Sequence, residues 1–106
     1  MDAWSRTDLT AAHREAGGLY HEFLRVPALS AGLYVLDAGA VDPQSPHAED
    51  EIYHVLAGRA RITVAGEDRP VEPGDTVYVA AGVEHRFHDI AEQLRLLVVF
   101  APAESG

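Results

Sequence analysis

The segment Glu51-Ile52-Tyr53-His54-Val55-Leu56-Ala57-Gly58 alternates with the period of a strand and stops at glycine. Period two places Glu51, Tyr53 and Val55 on one face and Ile52, His54 and Leu56 on the other. Further on, Glu84-His85-Arg86-Phe87-His88-Asp89-Ile90 repeats the pattern, with His85, Phe87 and Asp89 sharing a face opposite Arg86 and His88. Working outward, residues 19–26, 31–36, 59–65, 68–71, 76–79 and 94–101 are short runs of the same kind. Ala57-Gly58, Gly66-Glu67, Glu72-Pro73-Gly74-Asp75, Ala80-Ala81-Gly82 and Ala91-Glu92-Gln93 separate neighbouring runs as turn signals. About eight short strands with frequent turns predict an all-β barrel or jelly roll rather than alternating strands and helices. Ahead of them, Thr7 to Ala16 reads as one short helix stopped by Gly17-Gly18. Residues 1–18 are therefore expected as an N-terminal extension and residues 19–106 as the barrel domain.

The chain has 106 residues, one domain by size, and its 47% hydrophobic content is enough for a packed core. It has no cysteine, which excludes disulfides, thiolate metal sites and a thiol nucleophile. A net charge of -9 repels phosphate backbones and anionic lipid, so neither nucleic acid nor membrane is an expected partner. All eight basic residues are Arg, which removes lysine Schiff-base chemistry. Met1-Asp2-Ala3-Trp4-Ser5-Arg6 carries charge where a secretory signal needs an apolar run, and a cytoplasmic location is the expectation.

Any metal must then be held by nitrogen and oxygen. Six His occupy positions 13, 21, 47, 54, 85 and 88. Alternation turns His54 and His88 outward, and His13 and His21 read as surface residues. His47, just before the first strand quoted, can join Glu51 and His85, and two imidazoles with one carboxylate suit Zn, Fe, Mn, Ni or Cu. Spacing alone leaves a second reading open, because Glu51 also ends the acidic run Glu49-Asp50-Glu51.

The turn context adds a resemblance. From Gly39 to Asp89 the chain is similar to the two motifs of the cupin family of small β-barrels, here Gly39, His47, Glu51 and Gly58, then Gly74, Gly82 and His85. It departs from them at three places. The first His of the family's His-x-His pair is Ser45 or, in the alternative register, Gln44. The Pro of the second motif is Ala80, and its closing Asn is Asp89. The resemblance implies a double-stranded β-helix, or jelly-roll, barrel and one divalent transition metal on His47, Glu51 and His85. Gln44 is a further candidate oxygen donor.

Three protein ligands leave positions open for water or substrate, as a catalytic site requires. The implied function is a metal-dependent enzyme, of oxygenase or isomerase type, acting on a small organic molecule in the lumen. Tyr53 or Glu49 is the candidate acid–base group. The alternative is a metal-free or metal-binding module that binds a small ligand without turnover. Tyr53, Val55 and Phe87 are expected in the lumen, with Tyr34 or Tyr78 as further candidates. Arg59, Arg61 and Arg95 lie on strands and would meet an anionic substrate only if they point inward. An apolar outer face of Ile52, His54 and Leu56 predicts a homodimer.

Overall fold

The computed structural model describes residues 1–105; Gly106, the last residue of the expected barrel domain, lies outside them. One helix, α1 (Arg6–Ala16), precedes six strands: β1 (Tyr20–Val26), β2 (Leu29–Leu36), β3 (Asp50–Val64), β4 (Glu67–Val71), β5 (Thr76–Val79) and β6 (His85–Ala101). Helix α1 begins at a capping box, in which the Ser5 hydroxyl accepts from the Asp8 backbone N–H and the Asp8 carboxylate accepts from that of Ser5. It ends where Gly17 N–H donates to the His13 carbonyl, while His13 Nε2–H donates to Leu19 O at 2.7 Å and ties the helix to the first strand. Trp4 packs edge-on against Phe23 of β1, with ring centroids 4.9 Å apart.

All pairings are antiparallel, in the order β1-β2-β6-β3-β4, with β5 on the free side of the first half of β3. Two expected turns do not separate strands. Ala57-Gly58 lies inside the 15-residue β3, and Ala91-Glu92-Gln93 inside the 17-residue β6. The expected eight strands are therefore six. The register between β3 and β6 slips between Val55 and Ala57, between Ala57 and Arg59, and between Arg59 and Arg61. These are bulges that bend the ribbon: the first adds one residue on β3, the second one on β6 and the third two on β6. Gly58 sits at the bend with φ +92°, and a Cβ there would collide with the Gln93 carbonyl oxygen, so only glycine fits.

The bulges change which residues face inward. In β3 the buried positions are Glu51, Tyr53 and Val55, then Ala60 and Ile62, so the parity switches across Gly58. In β6 they are His85 and Phe87, then Ile90, Leu94, Leu96, Val98 and Phe100. The switch there occurs at Asp89, which has φ +48° and is exposed. The expectation that Asp89 shares the inner face of His85 and Phe87 is thereby corrected: Ile90 takes that place. The core is the barrel interior, built on these residues with Tyr34, Leu36, Val71 and Val79. Each fully buried side chain of this kind stabilises the fold by roughly 1.5–3 kcal/mol. Tyr78, expected as a lumen candidate, is instead 59% exposed.

Candidate metal centre

Alternation before the bends aims three side chains into one end of the barrel. Glu51 is the second residue of β3, His85 opens β6, and His47 comes from the loop ahead of β3. The ligand atoms of His47, Glu51 and His85 lie within 4.8 Å of one another. His85 Nδ1–H donates to the Val83 carbonyl at 2.9 Å, so in the neutral ring the lone pair is on Nε2, facing the lumen. That nitrogen stands 2.9 Å from the Tyr53 hydroxyl and 3.1 Å from Glu51 Oε1. Both side chains of the His85–Glu51 pair are 1% exposed. Despite the approach, neither Glu51 oxygen has a hydrogen-bond partner.

A buried carboxylate without donors, beside an imidazole lone pair, is electrostatically unfavourable unless a cation lies between them. A proton is one such cation. Burial lowers the His85 pKa, but the adjoining Glu51 carboxylate, the Val83 carbonyl and the charge of Asp42 prevail, and it is raised above its ordinary value. A divalent metal is the other. The set of two imidazole nitrogens and a carboxylate oxygen fits a first-row transition ion, and the orphaned oxygens of Glu51 are what such an ion would satisfy.

His47 is held by groups that the sequence reading missed. Its Nδ1 lies 3.0 Å from Glu104 Oε2, and its ring packs edge-on against Phe100 at 4.7 Å. A carboxylate on the far nitrogen of an imidazole ligand fixes ring orientation. Burial pushes the Glu104 pKa up, His47 opposes this, and Glu49, Glu51 and Glu22 add to the rise. The tail carrying Glu104 is strapped down by neighbouring contacts. Glu104 N–H donates to Ser30 Oγ, and its carbonyl accepts from Arg25.

Gln44 stands beside the three. Its Oε1 accepts from the Tyr53 hydroxyl at 2.6 Å and lies 3.3 Å from His47 Nε2, while its Nε2 donates to Asp42 at 2.7 Å. Asp42, also absent from the sequence reading, is a buried hub. It accepts from the Tyr34 hydroxyl, the Gln44 backbone and the Phe87 backbone N–H as well. Its only sequence signal was an acidic residue ahead of Pro43, between the runs 31–36 and 51–56.

The two acid–base candidates differ in placement. Tyr53 is fully buried at the site, and burial first, then the Glu51 charge, raises its pKa far above that of a free phenol. Glu49 is buried too, but its Oε2 accepts both the backbone N–H and the hydroxyl of Ser105. His54 and His88 lie on the outer side, on Thr76 and on Thr63, Asp68 and Asp89 respectively. Arg59 pairs with Glu72 and Arg61 with Asp68, while Arg95 reaches Gln93 and Thr10, so none of the three points into the lumen.

The site opens on a cavity of about 120 Å³ lined by Tyr20, Tyr34, Gln44, His47, Glu51 and Glu104, among others. A separate cleft of about 530 Å³ borders His85 and Gln44 from the side of Glu84 and Arg86.

Comparison with known proteins agrees with this architecture. The chain is 52% identical over 105 residues to an uncharacterized protein of Streptomyces coelicolor, covering 99% of this chain and 100% of that one. Among solved structures, KdgF from a Halomonas species superposes with a TM-score of 0.72 at 25% identity, over 78% of this chain and 76% of that chain. The DMSP lyase DddQ from Ruegeria pomeroyi gives 0.70 at 25% identity, over 78% of this chain and 47% of the other. The profile of the cupin domain matches residues 32–100, and with the bent β3–β6 ribbon and the His47–Glu51–His85 cluster at its end, the chain belongs to the cupin family.

Proposed function

We propose that this cupin holds one divalent transition metal on His47, Glu51 and His85 and uses it as an enzyme, of oxygenase or isomerase type, on a small organic molecule in the lumen. The observation that carries the reading is the buried Glu51 carboxylate, whose two oxygens have no hydrogen-bond donor although His85 Nε2 is 3.1 Å away. When bound, such an ion polarises a substrate oxygen or supplies a site for dioxygen. The chain's own residues supply the rest. Val83 and Glu104 fix the two imidazoles, and Asp42 holds Gln44. Tyr53, which stays neutral, acts at Oη as a hydrogen-bonding group that holds Gln44, and not as a base. Glu49 anchors the C-terminal tail in this reading. The likeness to a lyase at 25% identity supports small-molecule chemistry. A cytoplasmic location belongs to the same proposal.

The test is metal content by elemental analysis of protein purified without an affinity tag, with Glu51→Ala and His85→Ala beside it. About one metal per chain is expected in the wild type, with losses in both variants. At a hundredfold excess of free metal over Kd, binding stabilises the wild type by about 2.7 kcal/mol, a rise in Tm on the order of 10 °C that the variants lack. Wild-type protein that takes up none of Zn, Fe, Mn, Ni or Cu would leave the non-catalytic ligand-binding module as the reading.

A further inference from the structure

Among the described residues, three buried side-chain atoms lack a hydrogen-bond partner: both oxygens of Glu51 and the hydroxyl of Tyr20. All three belong to residues lining the 120 Å³ cavity. A metal on Glu51 accounts for the carboxylate and leaves the phenol unexplained. The other two phenols in this region are engaged, Tyr34 with Asp42 and Tyr53 with Gln44. A buried hydroxyl is seldom left unpaired, because it gives up its bonds to water without replacement.

The placement of Tyr20 is built. Its ring lies over Gly32 of the neighbouring strand, where any Cβ would collide with the ring end and hydroxyl. It also packs edge-on against Tyr34 and Phe100, with both ring centroids 6.3 Å away. Burial, together with Glu104, Glu22 and Glu51, keeps the phenol protonated. The group can therefore donate.

We infer that Tyr20 Oη is the ligand-binding donor of this cavity, pairing with an oxygen of a compact, uncharged carbonyl or hydroxy compound. This rests on the reading of the same cavity as the substrate site. Size follows from the volume: about four waters at ~30 Å³ each, a compound of two or three carbons or the oxygenated end of a longer one. Charge follows from the walls, which carry Glu51 and Glu104 and no Arg or Lys. While no metal is bound, an anion of the same size is disfavoured there; a divalent ion on Glu51 offsets this.

The probe is hydroxyacetone, with pyruvate as the anion of similar size, each titrated by ligand-observed NMR into zinc-dialysed and chelator-treated protein. The variant is Tyr20→Phe, which keeps the ring contacts and removes only the hydroxyl. Expected are hydroxyacetone binding by the wild type, about five-fold weaker binding by Y20F, the loss of one neutral hydrogen bond, and weaker pyruvate binding by the chelator-treated proteins. Y20F should carry as much zinc as the wild type and melt no lower, since the hydroxyl has no partner in the folded chain. Equal hydroxyacetone affinity in the two proteins, no binding by the wild type, or tighter binding of pyruvate by the chelator-treated protein would overturn the inference. So would a Y20F protein melting several degrees lower, which would give the hydroxyl a structural partner. Absence of zinc from both proteins overturns the metal reading instead, and the Tyr20 comparison is then decided on the chelator-treated samples.

Discussion

Glu51 and His85 meet at 3.1 Å although neither is the other's partner in the sheet: Glu51 pairs with Phe100 at one end of the β3–β6 ribbon and His85 with Val64 at the other. Their contact exists because the ribbon bends back on itself at the bulges around Gly58 and Asp89. The site is thus a product of curvature.

Acidity should act oppositely on the metal-free and metal-loaded proteins. The folded-state pKa of His85 is raised, so its contribution to the metal-free fold is complete below the unfolded value of about 6.5 and is lost as pH rises through the raised value. Metal needs the unprotonated ring, so its affinity should begin to fall above pH 6.5 on acidification. Tm measured from pH 5.5 to 8.5 with chelator and with excess zinc should show the metal-induced increment growing with pH. An increment independent of pH would contradict His85 as a ligand.

Gly58→Ala should destabilise the fold by about 3 kcal/mol, since it combines a left-handed backbone with a collision against the Gln93 carbonyl. Gly66→Ala, at φ +83° with open space around it, should cost only about 1 kcal/mol. Denaturant unfolding of the pair separates the close approach from the dihedral. Equal losses would mean that the ribbon's bend does not depend on glycine at residue 58.

Glu104→Gln keeps the shape of the tail and removes the carboxylate on His47 Nδ1. Metal affinity should fall roughly 10- to 100-fold, as it does when an outer carboxylate partner of a ligating His is lost. Competition titration against a chromophoric chelator reads this directly. A change of less than two-fold would make the contact structural only.

Ile52 and Tyr78 are paired neighbours on β3 and β5, 43% and 59% exposed, and they form an apolar patch on the outer face. Light scattering at micromolar concentration should give twice the 11.5 kDa chain mass, and Ile52→Asp should shift the protein toward monomer. A wild-type mass of one chain refutes the dimer.

The period of two in residues 51–56 and 85–88 told by itself that Glu51, Tyr53 and Val55 share one face of their strand opposite His54, and His85 and Phe87 one face of theirs opposite His88, because side-chain alternation is a local property of strand backbone. The helix was legible as Thr7 to Ala16, while its start at Arg6 and the cap between Ser5 and Asp8 came only with the structure. What alternation could not carry was its own interruption. Ala57-Gly58 and Ala91-Glu92-Gln93 look like turns in sequence, and whether such residues end a strand or bulge within it depends on the strand across from them. The same holds for Asp42, Glu104 and Tyr20, which lie far along the chain from much of what they touch. The approach of His47 to Glu104 in the C-terminal tail, or a phenol left unpaired over Gly32, is decided only when the barrel closes and fixes which distant groups are brought together.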